Sequence, residues 1–204
     1  HFLRCLDLLG VPHSNRIPKI FLKGEDVLFG ESFLKGSIVD SKKMLVAVHP
    51  GSGSRQKCWP MDRFAELILW LKEEMDTQIL LISGPADTEI VEELRVKVRD
   101  KFILVDHLPV PILAAIIKRC KLFVGNDSGI THLAAAGGTR TVAIFGSTDP
   151  NTWGPRGEQV KILYKKSPCS LCPPDTRRNC FSQTCLENVT VEDVISEIRY
   201  MVTV

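Results

Sequence analysis

Two loops in this sequence gather residue types that can hold an anion. The first, HPGSGSRQKCWP from His49 to Pro60, carries two glycines, two serines, an arginine and a lysine. Gly51 and Gly53 let the backbone come close to a ligand, Ser52 and Ser54 supply hydroxyls, and Arg55 and Lys57 supply charge. Such a loop suits a phosphate or pyrophosphate. It reads equally well as a glycine-rich turn with solvated cations, and the GxxxxGK[ST] spacing of a phosphate-binding P-loop is absent.

The second loop, GNDSGITHLAAA from Gly125 to Ala136, holds three good helix-capping residues in a row, Asn126, Asp127 and Ser128. Gly129 then leaves room at a helix N-terminus, whose unpaired N–H groups favour an anion. The plainer reading is a cap on a helix whose face of Ala134, Ala135 and Ala136 packs on a sheet. His132 lies four residues after Ser128, on the same helical face. Glu89, in GPADTE, is either a carboxylate favoured by a helix dipole or an acceptor for ribose hydroxyls. In GSTDPNTWGP, Thr148, Asp149 and Trp153 either line a crevice or fold their own turn.

What could bring these segments together is the pattern around them, because each follows an apolar run. MLVAVH precedes the first loop, QILLIS precedes GPADTE, KLFV precedes GNDSGITH and TVAIF precedes GSTDPNTWGP. Between the runs lie helical segments: PMDRFAELILWLKEEM with Phe64, Leu67, Ile68 and Leu71 facing inward, ADTEIVEELRVKVRD, and PVPILAAIIKRC after FILVD. Pro60 suits the first position of its helix. VKILY reads as a further strand and VTVEDVISEIRYMV as a closing helix. Continuous apolar strands alternating with helices predict an α/β fold, a Rossmann-like doubly wound parallel sheet. In such sheets ligands bind outside the carboxyl ends of the strands, where these four loops would converge.

Composition narrows the function classes. The 204 residues carry 26 basic and 24 acidic side chains, a formal net charge of +2, with the basic residues scattered. That balance gives no sign of a nucleic-acid partner. The longest apolar run, ILAAII, is far too short to span a bilayer. The first residue is His1, and HFLRCLDLLG opens in mid-helix pattern with Phe2, Leu3, Leu6 and Leu9 on one face and Gly10 as a stop. This predicts a chain that begins inside a longer protein.

HPGSGSRQKCWPMDRFAEL and GNDSGITHLAAAGGTRTVAIFGSTDPNTWGP, at this spacing, resemble the carboxyl-terminal half of the heptosyltransferases, glycosyltransferase family nine. The resemblance covers most of Met44 to Pro155. It implies the second Rossmann-like half of a GT-B enzyme, which holds the nucleotide sugar while the first half holds the acceptor. It also implies an inverting, metal-independent transfer of heptose from ADP-heptose to a lipopolysaccharide inner-core acceptor, with no catalytic cofactor. On this resemblance Lys57 contacts the donor phosphates, beside Ser52, Gly53 and Ser54. Gly125, Asp127, Ser128 and Gly129 match the family's GxDSG element, with Asp127 toward the sugar and the helix N-terminus toward the diphosphate. His132 matches a position near the diphosphate, and Glu89 more loosely the acid that holds the ribose. The general base, an Asp of the first half, has no counterpart here, so the acceptor would be bound through the missing half and this chain alone is expected to be inactive.

Domain boundaries follow from the same reading: residues 1–43 as connector and remnant of the first half, 44–166 as the nucleotide-sugar-binding domain, 167–188 as a Cys-rich loop and 189–204 as a closing helix. The Cys-rich loop places Cys169, Cys172, Cys180 and Cys185 close together, a density compatible with a structural zinc, reduced thiols or disulfides. Cys120, at the end of an apolar helix, reads as a small core residue. The family implies a bacterial cytoplasmic location, compatible with peripheral association at the cytoplasmic face of the inner membrane. Two other readings of the crevice stand beside the transferase: a non-catalytic nucleotide-sugar-binding module, and a GT-B-fold nucleotide-sugar epimerase.

Overall fold

The computed structural model describes residues 4–11, 17–37, 39–40, 42–99, 102–169, 171–173, 175–176, 179–180 and 182–203. Six strands, β1 (Met44–His49), β2 (Thr77–Ser83), β3 (Ile103–Asp106), β4 (Leu122–Asn126), β5 (Arg140–Phe145) and β6 (Val160–Tyr164), form one parallel sheet. Their order is β3-β2-β1-β4-β5-β6. The chain builds outward from β1 in one direction, then crosses back to start β4 on its other side. Loops after β1 and β4 therefore leave the sheet on opposite sides of a gap, the position where doubly wound sheets place ligands.

Helices cover both faces. On one side α3 (Met61–Glu74), α4 (Thr88–Val98) and the closing α9 (Val191–Thr203) pack on Val46, Val48, Ile79, Leu81, Leu122, Val124, Val142 and Ile144. On the other, α2 (Gly24–Gly36), α5 (Val110–Arg119) and α6 (Gly129–Ala136) cover Ala47, Leu80, Ile82 and Phe123. Successive strand residues thus enter opposite cores, as the period of two requires, and both cores are apolar. Phe64, Leu67, Ile68 and Leu71 are all fully buried, as their spacing predicts.

Three differences from the sequence reading have local causes. Pro60 is the N-cap of α3 rather than its first residue, with Met61 opening the helix. The connector contains α2, a 13-residue helix packed on α5, where an added methyl at Gly30 would come 3.1 Å from Ala115 Cβ. Its sequence, GEDVLFGESFLKG, buries only Gly30 and Leu34 fully, so it presents no clear apolar stripe. The first helix is α1 (Arg4–Leu8), with Gly10 at φ +64°, but Leu8 and Leu9 are 89% and 74% exposed, and Phe2 and Leu3 lie outside the described residues.

Candidate functional site

The crevice is assembled from the two loops at the switch point, and a single buried amide joins them. Asn126, the last residue of β4, accepts from the Trp59 amide (3.0 Å) and donates to the Pro50 carbonyl (2.7 Å). Ser52 Oγ adds a second tie, donating to the Asp127 carbonyl at 2.8 Å. Trp59 is itself immobilised: it is fully buried, stacks edge-on against Phe64 at 5.1 Å, and donates its indole N–H to Val189 O at 2.7 Å. The loop that carries Lys57 is therefore fixed at its end by the core.

Among the three capping candidates, the roles separate. Ser128 is the N-cap of α6, accepting from the Thr131 amide. Asn126 bridges the loops. Asp127, left over from capping, turns its carboxylate to Lys57, Nζ to Oδ2 2.7 Å, and the same oxygen accepts from Thr148 Oγ1 at 2.7 Å. Both partners are largely enclosed, with Lys57 24% and Asp127 9% exposed at the side chain. A cation, a helix N-terminus and an acid thus meet at one point.

Behind this point stands a group that the sequence reading left unassigned. His49, the last residue of β1, is 4% exposed; its Nε2 lies 3.4 Å from Asp87 Oδ2 and its Nδ1 3.2 Å from Ser128 Oγ. The arrangement is satisfied when Nε2–H donates to Asp87 and Nδ1 accepts from the Ser128 hydroxyl, while Ser128 Oγ accepts from the Thr131 amide. Asp87 also accepts from the Gly84 amide at 2.8 Å. Burial pushes the Asp87 carboxyl up, but the His49 and Gly84 hydrogen bonds outweigh it and hold the group below the usual carboxylate value. An Asp, a His and a Ser in sequence suggest a nucleophile relay, yet the serine is spent as a cap and the histidine is sealed. The chain of bonds is a brace that fixes α6 against β1 and β2. A polar residue ending the apolar run MLVAVH was the available signal for His49.

The other candidates occupy the rim. A methyl at Gly51 would lie 2.1 Å from Asp87 Oδ1, so this glycine makes room for a protein carboxylate; one at Gly53 would meet nothing within 4 Å. Ser54 Oγ donates locally to Gln56 Oε1 at 2.7 Å. Glu89 is exposed and pairs with Arg55 at 3.0 Å, a contact between the β1 and β2 loops that adds little stability. It is Asp87, two residues earlier, that is buried beside the β1 loop. Gly129 has open space above it. With the exposed His132 and Arg156 and the buried Pro155, it lines a cavity of about 250 Å³ whose far wall includes Pro18 and Ile20. Arg156, held by a bond to the Asn151 carbonyl, adds a cation that the sequence reading did not name. Asp149 caps the short helix α7 (Pro150–Trp153), so it folds its own turn.

Cys58, Cys120, Cys169, Cys172, Cys180 and Cys185 are free thiols. Cys120 is buried in the core, as its position at the end of α5 predicts. Cys185, on α8 (Thr184–Glu187), is also a core residue, beside Gly146. Among the described residues no group of three His, Cys, Asp or Glu side chains is arranged to hold a metal ion, and no helix is long and apolar enough to cross a membrane.

Sheet order, switch-point crevice and its helix N-terminus define a Rossmann-like, doubly wound α/β domain. Residues 7–183 match the family model described as Glycosyltransferase family 9 (heptosyltransferase). The chain belongs to that family. It is 26% identical over 189 residues to lipooligosaccharide heptosyltransferase 2 of Campylobacter jejuni, covering 89% of this chain and 58% of that protein. Its fold superposes on the family 9 glycosyltransferase of Veillonella parvula with TM-score 0.86 at 24% identity, covering 98% of this chain and 58% of the other. The E. coli ADP-heptose lps heptosyltransferase II gives TM-score 0.74 at 20% identity, with 93% and 55% covered. The chain thus spans a little over half the length of these relatives.

Proposed function

We propose that this chain is the donor-binding half of an inverting, metal-independent heptosyltransferase that transfers heptose from ADP-heptose to a lipopolysaccharide inner-core acceptor. The observation that carries the reading is the meeting of Lys57, Asp127 and the open first turn of α6 at the switch point. When the glycosidic bond to the donor breaks, negative charge gathers on the departing diphosphate. The Lys57 ammonium and the N–H groups of Gly129 and Ile130 lie where that charge would be stabilised. Asp127 keeps Lys57 oriented before the donor arrives and, on this reading, faces the sugar. His132 and Arg156 flank the same turn. Glu89 would reach the ribose only by leaving Arg55.

Deprotonation of the acceptor hydroxyl requires a base on the opposite wall, supplied by the half this chain does not include. The acceptor and a peripheral position at the cytoplasmic face of the inner membrane belong to the whole protein on this proposal. The boundaries 1–43, 44–166, 167–188 and 189–204 are proposed with it, α2 adding to the core of the second unit. Cys169, Cys172, Cys180 and Cys185 are proposed to hold a structural zinc that would pin their loop. Burial first, and then the neighbouring cysteines, push the Cys172 and Cys185 thiols up, which supports a shared role for the cluster.

Calorimetry of the 204-residue chain against ADP, UDP and GDP tests the donor assignment. ADP is expected to bind weakly and in preference to the other two; equal binding of all three would remove the argument for ADP-heptose. With ADP-heptose and acceptor, no product is expected, and heptose transfer by the isolated chain would overturn the division of labour. Metal analysis of protein purified without chelator tests the zinc.

A further inference from the structure

At the other end of the sheet from the donor crevice, the amino ends of β1 and β4 border a cavity of about 940 Å³. Its inner surface includes Leu34, Met44 and Leu45, and its rim carries Lys35, Lys42, Lys43, Lys118, Arg119 and Lys121. Against these six cations the described lining has two acids, Glu31 and Asp40. The cavity is thus net +4 on a chain whose formal total is +2, which leaves the rest of the molecule net negative.

Two of the cations are paired, Lys43 with Asp76 and Arg119 with Glu31 at 3.7 Å. Among the described residues, Lys35, Lys42, Lys118 and Lys121 have no carboxylate within ion-pair distance. Lys35, Lys118 and Arg119 lie in the last turns of α2 and α5, where helix dipoles favour positive charge. That explains each of those three on its own helix. It leaves unexplained why both helices end at one cavity and why Lys42 and Lys121, which precede strands, join them.

We propose that this cavity is a second anion site, for a ligand whose phosphate is joined to an apolar body. Lysine ammoniums are mobile point charges with three donors each, and several of them can gather around one tetrahedral phosphate. The apolar inner wall gives the remainder of the ligand a surface to cover. The volume lies at the upper end of the range for small-molecule sites, far more than an inorganic phosphate needs. β1 runs from this cavity to the donor crevice, and at about 3.3 Å per residue it separates them by roughly 20 Å. A donor bound at the crevice does not fill both.

The ligand's source is either a phospholipid headgroup in a bilayer or a free phosphate ester, and three probes separate them. They are dihexanoyl phosphatidic acid below its micellar concentration, vesicles of phosphatidylcholine with and without phosphatidylglycerol, and inorganic pyrophosphate. The variants are Lys118→Glu/Lys121→Glu and a control of equal charge change elsewhere, Lys23→Glu/Lys166→Glu, each checked by far-UV circular dichroism and thermal melting. At low salt the cavity variant is expected to lose at least about tenfold in affinity and the control less than about twofold. Binding of the monomeric lipid assigns a free phosphate ester; binding confined to anionic vesicles assigns a bilayer headgroup. The proposal fails if neither lipid probe binds, if both variants lose equally, or if only pyrophosphate binds and survives the cavity substitutions, which would report the donor crevice.

Discussion

Lys57 Nζ and Asp127 Oδ2 stand 2.7 Å apart across the switch point, with Thr148 Oγ1 donating to the same oxygen at 2.7 Å. The pair joins the β1 loop to the β4 loop, and each member has a different relation to an incoming diphosphate. On the proposed donor assignment, Lys57 would attract it, while Asp127 would repel it and hold Lys57 in place. Lys57→Met is therefore expected to weaken ADP binding by about tenfold or more, the worth of a charge-assisted hydrogen bond. Asp127→Asn is expected to strengthen ADP binding several-fold by removing a nearby like charge. Titration calorimetry of both single variants and the double variant measures the coupling. If both single variants weaken ADP equally and their effects add, the pair does not act at the phosphates.

The two glycines of the β1 loop are expected to behave differently on substitution. A Cβ on Gly51 would fall 2.1 Å from Asp87 Oδ1, so the buried carboxylate or the loop must move. Gly51→Ala should lower unfolding free energy by about 1 to 3 kcal/mol. Gly53→Ala enters open space and should change it by less than about 0.5 kcal/mol. Urea denaturation of the two variants checks this, and a neutral Gly51→Ala would remove the packing argument for the brace.

Much of this architecture was legible because its pattern is physical. Strands buried on two faces must be apolar throughout, and that alone located β1, β2, β4 and β5 and the loops behind them. Lys57, Asp127 and Ser128 could be named from residue type at those strand ends. The partition among Asn126, Asp127 and Ser128 could not, since all three cap helices well and only the packed loops decide which does so. His49 carried one signal, a polar residue ending an apolar run, but its partners Asp87 and Ser128 come from other loops and only the fold brings them to it. Which of Asp87 and Glu89 in GPADTE is buried depends on how α4 begins, which the sequence does not show. Helix α2 escaped for a different reason: it buries glycine and a single leucine, so its packing leaves little periodic trace.

Asp87 makes stability pH-dependent on the acid side. Its carboxyl is held below the ordinary value, with burial opposing and the His49 and Gly84 bonds prevailing. A depressed folded value means that the stabilisation is present above the unfolded pKa, about 3.9, and is lost as pH falls through the folded one. The stability difference between wild type and Asp87→Asn should therefore be constant near neutrality and shrink on acidification below about pH 4. Urea midpoints of both proteins across that range measure it. A difference that stays level down to pH 2.5 would mean that the Asp87 carboxyl has the same proton affinity folded and unfolded, so that its bonds to His49 and Gly84 do not hold it down.

Removing the cap hydroxyl should loosen α6 without touching Lys57. In Ser128→Ala the Thr131 amide loses its acceptor and His49 Nδ1 its donor. A loss of about 1 kcal/mol in stability is expected from the cap alone. Ser128→Thr retains a hydroxyl and should recover most of it. Comparing denaturation with ADP affinity separates the two roles: if Ser128→Ala leaves stability unchanged yet abolishes binding, the hydroxyl acts on ligand rather than as a cap.

The thiols should sort by environment when the protein is alkylated in the native state. Burial pushes Cys58 up to about 11 and Cys120 up to about 12, which leaves almost no thiolate at neutral pH and no access to reagent. Cys185 is buried and raised as well. Cys180 is partly exposed, and the Gln183 amide holds it below the ordinary thiol value. In metal-free protein, iodoacetamide at pH 7.5 followed by peptide mass mapping should therefore find Cys180 modified first, and Cys58, Cys120 and Cys185 only after unfolding. A zinc bound by the loop would protect Cys169, Cys172 and Cys180 together and release them together on chelation, because a bound thiolate is no longer free to attack. Modification of Cys180 at the same rate with and without chelator would argue that the loop is held by packing alone.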